Sequence, residues 1–199
     1  MKFIGLPNNE EVLQMKTLAA QGDQAAFRKI FDIFFTHLCQ FAYSIVKSRE
    51  AATEVTDDVF INIWHNKEKL TSIDNLTVYL YKATKNTALN YISRKAQLNI
   101  HDSFDDMIID LHVDNCPEEL FISNEMLKII NVSINALPSR CKMIFKLVRE
   151  DGLKYKEVAE ILNLSVKTVD AQMVIAVNRI REAMKTHINI PTSKKFQKK

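Results

Sequence analysis

Glycine and proline are scarce, three and four residues in a chain of 199, so the backbone has few places to turn sharply or break. The uninterrupted stretches between them are long, which favours helices and makes all-α the expected fold class. Cysteine is equally sparse. Cys39, Cys116 and Cys141 are an odd number at wide, unpatterned spacing, which indicates neither a disulfide framework nor a zinc site, and no cofactor or metal is expected. Long apolar runs are absent too. The most apolar stretch, Phe31 to Val46, is broken by Asp32, Thr36, His37, Gln40 and Ser44, far from the roughly 18 apolar residues of a membrane span. Met1 to Pro7 is too short for a signal peptide. The chain is therefore expected in the cytoplasm, without membrane insertion.

The hydrophobic share, 47%, is ordinary for a protein that buries a core and argues against disorder throughout. A net charge of +3 says little by itself, because what matters is how the charge is arranged. Residues 75–95 carry Lys82, Lys85, Arg94 and Lys95 with no acid, whereas residues 96–127 carry eight acids and no Lys or Arg. Beyond Met184 come Lys185, Lys194, Lys195, Lys198 and Lys199, again without an acid. Two basic segments flank an acidic one.

Periodicity places the helices. A short one from about Asn9 to Ala20 ends at Gly22, and Asp23 is placed to cap the next. In that second helix Phe27, Ile30, Phe31, Phe34, Leu38, Phe41, Ala42 and Ile45 recur at steps of three and four and form one core face. A third helix runs from about Glu50 to His65 with Ala51, Val55, Val59 and Ile63 apolar, Phe60 and Trp64 alongside, and Glu54, Asp57, Asp58 and Asn62 on its other side. After a polar segment from Asn66 to Asp74, a fourth spans about Asn75 to Lys95, burying Leu76, Leu80, Ala83, Thr84, Thr87 and Tyr91. The stretch Ala96 to Phe121 lacks periodicity and reads as a linker. Helices are then expected over about Asn124 to Ala136, from Leu137-Pro138-Ser139 to a stop at Asp151-Gly152, over Tyr155 to Leu162, and from Val166 to about Lys185.

The last two form a helix-turn-helix. Ala159 is small where the helices approach closely, Asn163 tolerates the left-handed turn, and Leu164 plugs the core. Ser165 is placed to cap the second helix, which Val169, Met173, Val177 and Ile180 hold against its partner. Lys167, Thr168, Ala171 and Gln172 then face outward at its start, with Ile175 and Arg179 further along. Such a helix enters the major groove by its N-terminal end, polar side chains meeting base edges and basic ones meeting phosphates. A helical hairpin with a merely solvated face is the plainer alternative.

Taken in order, these segments resemble the extracytoplasmic-function (ECF) class of the sigma-70 family, in a style similar to Bacteroidetes members. Leu137-Pro138-Ser139-Arg140, Phe145, Asp151 to Ala159 and Ser165 to Val169 resemble region 4; Asp23 to Phe27, Asp58 to Trp64 and Tyr79 to Asn86 resemble region 2. Each fragment alone is only moderately specific, whereas their order and spacing across residues 10–185 are far more so. The resemblance implies two helical domains joined by an acidic linker: region 2 over 1–96, linker 97–122, region 4 over 123–187 and a basic tail 188–199. It also implies a transcription initiation factor, not an enzyme, whose partners are core RNA polymerase, promoter DNA and an anti-sigma factor.

Site roles follow from the same resemblance. Asp57, Asp58, Asn62 and Trp64 would meet polymerase, although the residues alone equally allow a solvated acidic face around a core tryptophan. Lys82, Lys85, Asn86, Asn90 and Arg94 gather on one side of the fourth helix near Tyr79. Cations tracking phosphates beside a stacking ring suit single-stranded DNA, and the family captures a flipped minus-ten base with the loop matching Lys67 to Asp74. The plainer reading has Tyr79 in the core and lysines that only solubilise. Ser165, Lys167, Thr168, Ala171, Gln172, Arg179 and Arg140 would read the minus-thirty-five element. Tyr79 stands where the family often has tryptophan, Asp57 where it often has glutamine, and Asp170 and Gln172 where it often has basic residues, so promoter preference does not carry over. The acidic linker either threads the polymerase cleft or is a soluble tether.

Two rivals remain at this point. A stand-alone helix-turn-helix regulator would dimerise on a palindrome, but has no need of the basic, tyrosine-bearing helix from Asn75 to Arg94. A DNA recombinase would need clustered carboxylates or an activated Ser or Tyr, and the expected helices carry no such constellation.

Overall fold

A computed structural model describes residues 9–98 and 124–188, and every described element is helical. The expected linker, apart from its first two residues, and all of the tail but Ile188 lie outside the described residues. The first half comprises α1 (Asn9–Ala20), α2 (Gln24–Val46), α3 (Arg49–His65), a short 3-10 helix (Lys67–Ser72) and α4 (Leu76–Leu98). The second comprises α5 (Asn124–Asn135), α6 (Ser139–Arg149), α7 (Tyr155–Leu162) and α8 (Val166–Ile188).

The helix ends are set by local chemistry. Gly22 turns the chain at φ +93°, and the Asp23 carboxylate then accepts from the Ala26 N–H at 2.9 Å, satisfying a free donor of α2. Ser48 does the same for α3 through Ala51, and Asn75 for α4 through Val78 at 3.0 Å. Asn163 ends α7 in the left-handed conformation, φ 56°, and Ser165 caps α8 by accepting from the Thr168 N–H at 3.0 Å.

In the first half α2 packs between α3 and α4, while α1 lies across α2 and the 3-10 helix. Ile30, Phe34, Leu38 and Phe41 of α2 meet Val55, Val59 and Ile63 of α3 and Leu80 and Tyr81 of α4 in one buried cluster. In the second half α6 and α7 pack on α8, with α5 on its other side. The two halves are not separate bodies. α7 lies against α4, and the buried cluster continues through Ile144, Leu147, Leu153, Val158 and Ile161.

Four details differ from the sequence expectation. The segment Asn66 to Asp74 holds a 3-10 helix anchored by Leu70, which is 1% exposed. Helix α4 runs to Leu98, two residues into the expected linker, and α8 runs to Ile188. Tyr81, absent from the expected core, is fully buried, because α4 is covered by α2 on one side and α7 on another. On α8 Ala176 is fully buried alongside Val169, while Val177 is only half-buried, since a small residue is what fits where α6 crosses.

Candidate nucleic-acid interface

Three surfaces are built on this frame. The first is the start of α8, where Lys167, Ala171 and Arg179 are exposed and Thr168 and Gln172 half-buried. Ser165 Oγ lies 2.8 Å from Thr168 Oγ1, so the cap and its neighbour hold each other. The Cys141 thiol donates to the Gln172 carbonyl at 3.3 Å, tying α6 beneath this face. Burial raises the Cys141 thiol pKa above its ordinary value, so it acts as a packing group. Arg140, on α6, is exposed. The acid Asp170 is also solvent-facing, flanking the row formed by Lys167 and Ala171.

The second surface is α4, and the structure divides its expected residues. Tyr79 is 41% exposed, outside the core, and Asn86, Asn90 and Arg94 face solvent. Lys82 and Lys85 instead turn toward α7: Lys82 Nζ donates to Glu160 Oε1 at 2.9 Å, and Lys85 Nζ to the Ile161 carbonyl at 2.6 Å. Burial, then the charge of Lys82, lowers the Lys85 pKa. Lys67 stands apart from these residues, with its ammonium over the Trp64 ring, 5.2 Å from the centroid.

The third surface is an open groove of about 650 Å³ between α2 and α3. Its walls are aromatic, with Phe27 against Trp64 and Phe31 against Phe60, each pair 4.8 Å between centroids. Arg28 covers the Phe31 ring at 5.7 Å while paired with Asp32, and Asp57 and His65 complete the polar rim. Of the four residues expected to meet polymerase, Asp57 and Trp64 line the groove, and Asp58 and Asn62 are exposed one step around α3. Phe27, Arg28, Phe31 and Ile61 were not expected in it. The signal was available, because Phe27 and Phe31 widen the apolar arc of α2 beyond what one packing partner covers.

Among the described residues no group of three or more His, Cys, Asp or Glu could hold a metal ion. None of the described helices is long and apolar enough to cross a membrane.

Two family models match the chain, "Sigma-70 region 2" over residues 34–97 and "Sigma-70, region 4" over residues 127–180, together more than half of it. Curated relatives agree. The ECF RNA polymerase sigma factor SigW of Bacillus subtilis (strain 168) is 25% identical over 178 residues, covering 84% of this chain and 91% of that protein. The ECF RNA polymerase sigma-E factor of Escherichia coli (strain K12) is 26% identical over 171 residues, covering 82% and 87%.

This chain belongs to the ECF class of the sigma-70 family.

The fold agrees as well. CnrH, solved in complex with the cytosolic domain of CnrY, is 19% identical with a TM-score of 0.55, covering 88% of this chain and 98% of that one. The sigma factor RpoE of Bartonella quintana, solved with the anti-sigma factor NepR, has the same identity and TM-score, covering 80% and 96%. On this ECF chain the region 2 match spans α3, α4 and the second half of α2, so Phe27, Arg28 and Phe31 lie before it. The region 4 match spans α6, α7 and most of α5 and α8.

Proposed function

We infer that this chain is a sigma factor that binds core RNA polymerase and directs it to specific promoters. The observation that carries this reading is the presence, on one chain and in family order, of a helix-turn-helix and a separate basic helix preceded by an aromatic groove. A stand-alone regulator needs only the first of these.

In this reading the α2–α3 groove receives an apolar, basic-rimmed element of polymerase, with Trp64 and Phe27 as anchors and Asp57 and Asp58 as charge partners. Helix α8 reads the minus-thirty-five element: Lys167, Arg179 and Arg140 meet phosphates, and Thr168, Ala171 and Gln172 meet base edges. Helix α4 and Lys67 serve the minus-ten element, where Tyr79 stacks on an unpaired base and Lys82, Lys85, Asn86, Asn90 and Arg94 follow the backbone. Capture of a base already out of the stack offsets its unpairing cost of a few kcal/mol, so strand opening runs on binding alone, without catalysis. An anti-sigma partner is part of the proposal, supported by the RpoE–NepR complex.

The test is transcription in vitro with sigma-free core polymerase and a promoter library. Specific starts that depend on this protein are expected, and two short elements upstream of each start should emerge. A protein that binds a duplex site alone while leaving core polymerase unbound and unredirected would overturn the reading.

A further inference from the structure

The strongest unassigned group outside the three surfaces is Lys16, a cation buried on α1. It is 5% exposed, and its ammonium donates to the Ile73 carbonyl at 2.5 Å, 57 residues along the chain. Among the described residues that neutral carbonyl is its one polar partner. Its neighbours on the same face of α1, Val12 and Ala19, belong with Leu70 and Leu76 to the buried apolar cluster. A methionine or leucine would fill such a position without dehydrating a charge, so packing alone does not account for a lysine there.

What the ammonium holds is a joint. Ile73 ends the 3-10 helix and stands two residues before Asn75, whose side chain caps α4 and whose carbonyl accepts from the Tyr79 N–H at 3.0 Å. Because a peptide unit is planar, holding the Ile73 oxygen holds the plane that joins Ile73 to Asp74. Ser72 and Asp74 on either side of Ile73 are exposed, and so is Tyr79 in the first turn of α4. These outward side chains therefore hang on a backbone fixed from α1. The other end of the segment is supported from the same direction. α1 packs along the 3-10 helix, and the Gly22 turn that follows α1 lies against the Lys67 stem, whose Cε is 3.6 Å from where a Cβ on Gly22 would stand.

We propose that Lys16 is a positioning residue for base selection: by fixing the Ile73–Asp74 peptide it sets the exposed segment before α4 relative to Tyr79, and so sets which unpaired base fits there. Lys16 itself never touches DNA. This rests on the reading of α4 and the segment before it as the minus-ten surface.

The test uses the full chain assembled with core polymerase. The probe is a twelve-nucleotide single strand carrying the minus-ten element of a promoter recovered by transcription in vitro, intact or with one base at a time replaced by an abasic site. An abasic site at the captured position should cost wild type about tenfold in affinity, as loss of one stacked base does. Lys16→Met keeps the apolar stem and removes the ammonium, and the penalty should fall to about twofold, the intact strand losing affinity while the abasic strand binds as before. Lys16→Gln, whose amide is too short to reach Ile73, should repeat this, and Lys16→Arg, which keeps a long cationic donor, should restore most of the penalty. The salt slope should stay at the wild-type value, since loss of a lysine that meets phosphate would lower it by about one. Thermal midpoints and affinity for core polymerase report whether each variant folds. Lys16→Met and Lys16→Gln proteins that fold and discriminate as wild type does would overturn the proposal. So would an equal loss on intact and abasic strands, the mark of a side chain that only supports the fold. A wild-type complex for which no abasic position matters, although its starts are specific, would overturn the minus-ten reading of α4 and the proposal with it.

Discussion

The Lys67 ammonium lies over the Trp64 ring, 5.2 Å from its centroid. Sequence assigns these residues to different partners, Lys67 to the minus-ten DNA and Trp64 to polymerase, yet the turn from α3 into the 3-10 helix makes them neighbours. A cation over an indole face is worth about 0.5–1 kcal/mol when exposed, which favours this direction of the lysine about two- to fivefold. Trp64, a wall of the groove, and Lys67, the first residue of the expected base-capture loop, are thus in direct contact.

Removal of the groove's anchor tests this part. Trp64→Ala is expected to weaken binding to core polymerase about thirtyfold or more, the loss of about 2 kcal/mol or more typical of a central aromatic contact. Circular dichroism should show the helices retained, since Trp64 is only half-buried. Fluorescence polarisation against core enzyme reads the affinity, and a change under twofold would remove Trp64 from the interface.

On α8, phosphate and base contacts separate by their response to sequence and salt. Lys167→Ala should weaken binding to all promoter variants alike and lower the salt slope by about one. Gln172→Ala should relax discrimination at one position of the minus-thirty-five element, by about 1–3 kcal/mol if it makes a bidentate contact. Promoter-variant titrations at several salt concentrations distinguish the two, and a Gln172→Ala profile flat across all variants would exclude it as a reader.

Much of this was legible in the sequence, for identifiable reasons. Capping carries its own chemistry, so Asp23 and Ser165 could be placed from residue type and spacing alone. Asn163 at the turn of the helix-turn-helix is equally local. The groove was half legible, because Trp64 stands out whereas Phe27 and Phe31 look like core until the partner helix is seen to leave them uncovered. The contact between the two halves was not legible. Tyr81, Asp151 and His37 come together only when α7 docks on α4, and periodicity within a single helix carries no information about contacts 114 residues apart.

Asn163 itself gives a stability prediction. Its left-handed backbone, φ 56°, costs a β-branched residue about 1–2 kcal/mol and glycine almost nothing. Asn163→Val should therefore lower the thermal midpoint by several degrees, while Asn163→Gly leaves it within about a degree, as scanning calorimetry can establish.

Alkaline pH addresses Tyr81. Burial first, then the Asp151 carboxylate, holds its phenol well above the ordinary tyrosine pKa. Because the folded value is raised, the stability tied to the neutral phenol is fully present below about pH 10 and is lost as pH climbs through the raised value. Absorbance at 295 nm should show one of the five tyrosines ionising only as the native fold is lost. Lys85, whose pKa is lowered from 10.5, works in the opposite direction and at lower pH, its effect complete by about its ordinary value. Comparison with Tyr81→Phe isolates the phenol, and the variant's alkaline midpoint should move upward; an unchanged midpoint would dismiss the linkage.

The first helix bears on how this protein should be cut for study. Lys16 is 5% exposed and donates to the Ile73 carbonyl at 2.5 Å, bracing the segment that leads into α4. A fragment trimmed to the recognisable region 2 span would begin at residue 34, inside α2, without that brace, the Asp23 cap or two walls of the groove. Homology and groove have different borders here: Phe27, Arg28 and Phe31 line it from outside the matched span, facing Asp57, Phe60 and Trp64 within it.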